Sequence, residues 1–304
     1  MDLDLSSDQT VMLAAVEPLL APYRQLPQPQ GPDYLVYSAE LDAELERGGF
    51  YGEGLERAEA ALLLEEVAKL PYSVPAMASL IVAPALGLAG LQRPLALLAS
   101  PTAPARFLAE ARTAIILDGD TVLSLDLTAA EVEPVKTIFA YPYARLAAFD
   151  RSRATELGIS ADALRNAWRL GLIFEILGAI GEAHKLTVDY AKQRVQFKRP
   201  IGAFQAVQHR LGEGTVHIEA LRLLGARAAW SAKAEEIALA AAYAQKHVPQ
   251  IVHDCHQFHG AMGVTLEYVL HHWTYRLKVL AGELGGSSAQ ARAASRSLWG
   301  EDAA

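Results

Sequence analysis

Basic, amide and aromatic side chains gather in one short stretch, "YAKQRVQFKRPIGAFQAVQHRL" (residues 190–211). Arg194 and Lys198 flank the aromatic Phe197, and a Pro-Ile-Gly break separates two runs of helical character. Such a corner could bind a ligand, or it could be an ordinary turn on the surface.

Other residue types that could carry chemistry occur late in the chain. His253 and His256 stand three residues apart on a predicted helix, a spacing that could serve a metal ion, but no carboxylate follows at matching spacing and no HExxH motif is present. The serines show no GxSxG motif. Cys255, the only cysteine, lies inside a predicted helix, so neither a disulfide nor a thiol nucleophile is favoured. Solvated or interface histidines are the better interpretation, and no metal site is expected.

Composition limits the classes of function. The 304 residues are 52% hydrophobic and carry a net charge of −8, which argues against a nucleic-acid partner. The acidic, polar start is unlike a signal or transit peptide, and the longest apolar stretch (78–91) is interrupted by Pro84 and is too short to span a bilayer. We therefore expect a cytoplasmic protein with no membrane segment.

The N-terminal part predicts helices and the middle part predicts strands. Residues 6–9 have the form of a capping box, and residues 54–70 place apolar side chains along one helical face. Residues 104–150 contain two β-type runs around Asp118-Gly119-Asp120, a favoured hairpin turn. Without a GxGxxG or P-loop motif, this predicts a small sheet of three to five strands.

From residue 159 onward the pattern is helical. Apolar residues at four-residue spacing, from Leu164 through Trp168 to Ile180, predict a helix that continues to about Phe197. Further helical runs cover 204–233, 235–258 and 265–283. Four such helices indicate an antiparallel bundle.

The opening stretch resembles the signature Y-x-x-x-R-x-Q-F-G-x-P-I-x-x-F-Q-x-x-x-H of the acyl-CoA dehydrogenase family. A second segment, "QFHGAMGVTLEYVLHHWTYRLK" (257–278), is similar to that family's Q-x-x-G-G-x-G-[FYV]-T-x-E segment and the arginine after it. The resemblance implies a mainly α fold with an N-terminal helical domain (1–97), a truncated middle β domain (98–150) and a C-terminal four-helix bundle (151–304).

The family resemblance also implies a cofactor and a partner. Family members remove two hydrogens from an acyl-CoA thioester, with a glutamate as base and FAD as hydride acceptor, and their flavin spans a subunit interface. The matching residues here correspond to the side that holds the neighbour's flavin. They would be Arg194, Gln196, Phe197, Phe204, Gln205, Gln257, Gly260 and Ala261.

Two departures from the family stand out. The middle domain is about half the usual length and lacks the T-E-P-x-x-G-S-D segment that holds the flavin ring. The base position falls on Gly285, or on Trp168 in members that place it on the first bundle helix, and neither residue can accept a proton. Glu175, Glu182 and Glu283 could substitute, although each is more simply a solvated or interface carboxylate. Lys198 replaces a usual glycine.

The resemblance therefore implies a subunit of a heterotetrameric (α2β2), FAD-dependent acyl-CoA dehydrogenase, as in bacterial steroid degradation. It would be inactive alone, with no catalytic residue of its own. A full-length acyl-CoA dehydrogenase partner would supply the base and share the FAD, and would contact most of a steroid-derived acyl-CoA. Two alternatives stay open: a self-sufficient homomeric dehydrogenase with an unrecognised base, and a scaffold subunit that binds no flavin.

Overall fold

The computed structural model describes residues 4–25, 36–52, 54–128 and 131–300. The outer ends of the predicted ranges 1–97 and 151–304 fall on residues 1–3 and 301–304, outside the described residues. The predicted limits of the three domains stay predictions.

The N-terminal part is helical, as predicted. It contains α1 (Ser7–Leu20), α2 (Ala39–Arg47) and α3 (Arg57–Ala68), followed by a π-helical turn (Ala78–Val82) that continues into the short α4 (Ala83–Ala85). The capping box is confirmed: the Ser6 hydroxyl accepts from Gln9 N at 3.1 Å, and Ser6 N donates to Gln9 Oε1 at 3.0 Å.

The middle part forms two sheets from seven strands, and the five strands that lie within 104–150 agree with the three to five predicted there. The strands are β1 (Leu95–Leu98), β2 (Ala105–Arg106), β3 (Thr113–Asp118), β4 (Thr121–Asp126), β5 (Val132–Val135), β6 (Tyr143–Leu146) and β7 (Thr155–Ser160). One sheet has the order β1-β3-β4-β7 and the other β2-β6-β5, and among their pairs β1 and β3 run parallel. β1 and β7 lie outside 104–150 and were not predicted, and the strands belong to two sheets where one was expected.

The predicted hairpin at Asp118-Gly119-Asp120 is confirmed, since Gly119 and Asp120 alone join β3 to β4. Side chains of β3 alternate between two cores, as the pleat requires. Ile115 and Leu117 pack toward the helices, whereas Ala114 and Ile116 belong to the core between the two sheets.

The C-terminal part is a helix bundle built on α5 (Ala161–Gln193), α6 (Gln205–Ser231) and α7 (Ala234–His259). Between α5 and α6 lies a hairpin of β8 (Val195–Gln196) and β9 (Arg199–Pro200). The shorter α8 (His271–Leu280) packs on α5, and α9 (Gly286–Trp299) packs on α7.

Two helix predictions need correction. The first bundle helix ends at Gln193 and not near Phe197, because Arg194 turns to an extended backbone (ψ 115°) that enters β8. The run 265–283 yields a helix only over 271–280, and α9 beyond it was not predicted. None of the described helices has the length and apolar content needed to cross a bilayer.

Candidate functional site

The corner between α5 and α6 is a tight, exposed hairpin. Arg194 N donates to Tyr190 O at 2.8 Å to close α5, and Ile201 N donates back to Arg194 O at 2.8 Å. Phe197 and Lys198 form the two-residue turn, and both have positive φ angles, 51° and 65°. A hairpin turn of this kind favours glycine, which is the residue that the family resemblance leads one to expect at position 198.

Aromatic and cationic side chains are displayed on this corner. The Phe197 side chain is 86% exposed, and its ring meets that of Phe204 edge-on at a centroid distance of 6.1 Å. The Arg199 guanidinium lies 4.0 Å from the Phe204 ring centroid. An aromatic ring kept so exposed in the described chain is more typical of a binding surface than of a core.

The second sequence segment lies at the same end of the bundle. The Tyr190 ring of α5 packs on the ring of His259, the last residue of α7, at 4.4 Å. Gly260 follows with φ 60° and ψ −138°, a conformation that is essentially open only to glycine. Gln257 and Ala261 are exposed beside it.

The structure therefore places all eight predicted cofactor-binding residues at one end of the bundle. Among the described residues, no carboxylate lies within ion-pair distance of Arg194, whereas Lys192, two residues earlier, pairs with Asp189. An exposed guanidinium without an internal counter-ion is suited to a phosphate. That these residues bind a flavin stays a prediction.

The two candidate base positions converge at the opposite end of α5. Trp168 is 4% exposed, and its indole Nε1 donates to Glu283 Oε2 at 2.8 Å. Gly285 has a φ of 87°, and a Cβ added there would lie 2.8 Å from the Cβ of Ala289. A side chain at position 285 would therefore be both strained and crowded.

Arg106 of β2 fills the space between these positions. Its guanidinium makes a bidentate pair with Glu175 (Nη1 to Oε1 2.7 Å, Nη2 to Oε2 2.9 Å), and its Nε donates to Glu283 Oε1 at 2.5 Å. The Tyr141 hydroxyl donates to Glu175 Oε1 at 2.9 Å. We call Arg106, Trp168, Glu175 and Glu283 the buried ion cluster.

The expectation that Glu175 and Glu283 are solvated or interface carboxylates is wrong for both. Their side chains are only 9% and 13% exposed, and both oxygens of each already accept hydrogen bonds. Burial alone would lower the pKa of Arg106, but the two carboxylates more than offset this and raise the pKa well above its usual value. Glu182 instead pairs with Lys185.

Sequence reasoning missed Arg106, the centre of this cluster. Its partners lie 69 and 177 positions away, so no local spacing reveals them. The only signal was an arginine that stands between two apolar residues, Ala105 and Phe107. Arg276, the arginine after the second segment, is also buried and donates to the backbone carbonyls of Ala68, Leu70, Tyr72 and His272. It fastens α8 to the end of α3.

A cavity of about 1110 Å³ opens beside the buried ion cluster, between β1, β2, α5 and α9. Its floor includes Arg106, Trp168 and Glu283, and its walls carry further arginines from α5 and α9.

The late histidines and the cysteine have structural partners. His256 Nδ1 lies 2.7 Å from Gly263 O, and its Nε2 lies 3.0 Å from Thr274 Oγ1. Within the described ranges, no group of three or more His, Cys, Asp or Glu side chains could hold a metal ion. Cys255 is buried, and burial raises the pKa of its thiol to about 12, which is unsuited to a nucleophile at neutral pH.

Comparisons with known proteins agree on a family. A model of the acyl-CoA dehydrogenase C-terminal domain matches residues 161–298. The chain is similar to the acyl-CoA dehydrogenase IpdE2 of Mycobacterium tuberculosis, with 31% identity over 240 residues that cover 72% of this chain and 71% of that protein. It is also 29% identical to IpdE2 of Mycolicibacterium smegmatis over 252 residues, covering 80% of this chain and 79% of that one.

Two solved structures share the fold at 20% identity. One is a chain of the ChsE4-ChsE5 complex from Mycobacterium tuberculosis, with a TM-score of 0.81 over 98% of this chain and 99% of that chain. The other is the Tcur3481-Tcur3483 steroid ACAD G363A variant, with a TM-score of 0.75 over the same shares.

Proposed function

This chain belongs to the acyl-CoA dehydrogenase family, and we propose that it is the half-site subunit of a heteromeric, FAD-dependent member. It completes the flavin site of a full-length partner and contributes no catalytic base. The observation that carries this proposal is the buried ion cluster, which occupies the place where the base of this chain would project.

The geometry supports the proposal that this chain contributes no base. A general base needs a free oxygen within hydrogen-bonding reach of the substrate proton. Both oxygens of Glu283 accept from Arg106 and Trp168, and Gly285 has no side chain to offer. The same contacts argue against the self-sufficient homomeric alternative.

The exposed corner fits the flavin of a neighbouring subunit. Arg194 would hold the pyrophosphate together with Gln196, and Gln205 and Gln257 offer amide groups toward the adenosine end. The exposed Phe197 ring offers a surface for contact, and the open space around Gly260, where a Cβ would meet nothing within 4 Å, allows close approach. When bound, FAD supplies the hydride acceptor, while this chain orients its phosphate end.

The fold neighbours support the assembly and the substrate class. The name of the ChsE4-ChsE5 complex indicates two different subunits, and the Tcur3481-Tcur3483 protein is described as a steroid ACAD. We propose an α2β2 assembly in which the partner shares its FAD with this chain and acts on a steroid side-chain or ring-derived acyl-CoA. Comparing turnover of a steroid-derived CoA thioester with that of straight-chain acyl-CoA by the complex tests the substrate.

The cofactor role is tested by replacing Arg194 with alanine in a complex co-expressed with the neighbouring acyl-CoA dehydrogenase. We expect lower flavin occupancy with assembly largely intact, because an exposed guanidinium is lost from the phosphate end alone. The matched control is Lys192→Ala, which removes an exposed cation from the same helix end and should leave occupancy unchanged.

The flavin-to-protein ratio from the visible spectrum, with size-exclusion chromatography, is the readout. Unchanged occupancy in Arg194→Ala would refute the corner assignment and favour the scaffold alternative. Stoichiometric flavin in the chain expressed alone would refute the half-site proposal itself.

A further inference from the structure

The cavity beside the buried ion cluster is electropositive in an acidic protein. Five arginines and two acidic residues line it, although the whole chain carries a net charge of −8. The charged residues that line it are Arg106, Asp162, Arg165, Arg169, Glu283, Arg292 and Arg296. Because Arg106 is held by Glu175 and Glu283, and Arg165 pairs with Asp162, the excess positive charge belongs to the other three arginines.

Four of the arginines line the cavity from two helices. Arg165 and Arg169 are four residues apart on α5, and Arg292 and Arg296 have the same spacing on α9. Residues at this spacing share one helix face, about 6 Å apart along the axis. Two pairs of arginines, one pair on each helix, therefore line the same cavity.

Arg169 is the most informative of these arginines, because it is half-buried and no anionic side chain of the described residues forms an ion pair with it. Its Nε donates to Gln290 Oε1 and its Nη1 to Asn166 Oδ1, both at 2.7 Å, and both acceptors are neutral amides. Burial lowers the pKa of Arg169, and the nearby Arg165 opposes the effect of Asp162. These amide contacts hold the guanidinium in place but do not neutralise its charge. A half-buried charge without a counter-ion is unfavourable, and a bound anion would relieve this cost.

Most of the other lining residues are apolar, and Tyr143, Asn166 and Ser297 add polar groups. Leu97, Leu117 and the Trp168 ring form one side, and alanines of α7 and α9 form another. The volume of about 1110 Å³ is slightly above the usual range of roughly 300–1,000 Å³ for small-molecule sites. A ligand that fits would combine anionic groups with an apolar body.

We propose that this cavity binds a small organic anion with two or more carboxylate or phosphate groups on an apolar body, held between Arg165 and Arg169 of α5 and Arg292 and Arg296 of α9. The site is separate from the flavin corner: Arg169 and Gln193 are 24 residues apart on one helix, roughly 36 Å. The inference therefore goes beyond the proposed half-site role.

Binding to the full chain is measured by isothermal titration calorimetry with two probes, suberate for carboxylates and ADP for phosphates. Octanediol and adenosine are their uncharged counterparts. We expect saturable binding of at least one anion, no binding of its uncharged counterpart, and weaker binding as the salt concentration rises. Which anion binds distinguishes a carboxylate from a phosphate ligand.

Three variants test the location. Arg169→Gln and the double variant R292Q/R296Q should each weaken binding by about tenfold, equivalent to about 1.4 kcal/mol. Arg145→Gln, which removes an exposed arginine outside the cavity, should change it less than about twofold. Arg292 and Arg296 are exposed, so their replacement should not impair folding. The double variant therefore still tests the location of the site if Arg169→Gln does not fold.

Failure of both probes to bind overturns the proposal, as does binding that is indifferent to R292Q/R296Q. Arg194→Ala should leave anion binding in the cavity intact. Failure of the proposed flavin role of the α5–α6 corner can therefore be distinguished from failure of the proposed anion site.

Discussion

Replacing Arg106 with methionine should be among the most destabilising single changes in this protein. The arginine joins β2 to α5 and to the segment before α9, and its removal leaves Glu175 and Glu283 buried without a cation. Breaking a buried ion pair by removing one partner costs about 3–5 kcal/mol. With a urea dependence of about 3 kcal/mol per M, the unfolding midpoint should fall by roughly 1–1.7 M.

The assay is urea unfolding followed by tryptophan fluorescence and by circular dichroism. Arg145→Met is the matched control, because Arg145 and Glu133 form a pair with side chains 60% and 50% exposed, and its loss should cost less than about 0.5 kcal/mol. The triple variant R106M/E175Q/E283Q removes the stranded charges and keeps acceptors for the Tyr141 hydroxyl and the Trp168 indole. It should recover at least half of the lost stability.

The pH dependence gives an independent check. A buried carboxylate that has lost its cation favours the protonated form, so the deficit of Arg106→Met should shrink as the pH is lowered. The reasoning would be refuted if the Arg106 and Arg145 variants shifted the midpoint equally. A triple variant no more stable than Arg106→Met would refute it too, since the loss would then arise from packing.

Three further predictions follow from single positions. Gly285→Ala should lower the thermal midpoint by several degrees, because φ is 87° and the new Cβ would crowd Ala289. The control is Gly212→Ala, on an open face of α6, which should be neutral or stabilising. Equal effects of the two substitutions on the midpoint would contradict this reasoning. Cys255, whose thiol pKa burial raises to about 12, should resist iodoacetamide at pH 8 in the folded chain and react fully in denaturant; rapid labelling of the native protein would show that the thiol is accessible. Burial, with the adjacent charges, lowers the pKa of His272 to about 3, while an unfolded imidazole titrates near 6.5. The unfolded state then binds more protons below about pH 6.5, so stability should fall with decreasing pH by up to about 1.4 kcal/mol per pH unit from this residue, and His272→Gln should reduce that slope; an unchanged slope would exclude His272 as its source.

Local patterns were sufficient for most of the helices and for the corner. The capping box at Ser6, the hairpin turn at Gly119 and the helices 205–231 and 234–259 depend on neighbours three or four residues apart, and each was predicted within about two residues. The chain from Arg194 to Gln205 was singled out because its residue types are unusual for an exposed turn. Their role toward a flavin is a prediction that sequence and geometry both favour.

How the buried charges pair is determined only by the tertiary structure. Arg106, Glu175 and Glu283 belong to a strand, a long helix and a turn. Only the packing of the sheets against the bundle brings the Arg106 guanidinium within 2.9 Å of both carboxylates. The same packing aligns Arg169 with the arginines of α9 across one cavity, although more than a hundred residues separate them. Secondary structure follows from contacts between near neighbours, which a sequence displays directly. Ion pairing depends on which distant surfaces lose water together, and that is set by the tertiary structure.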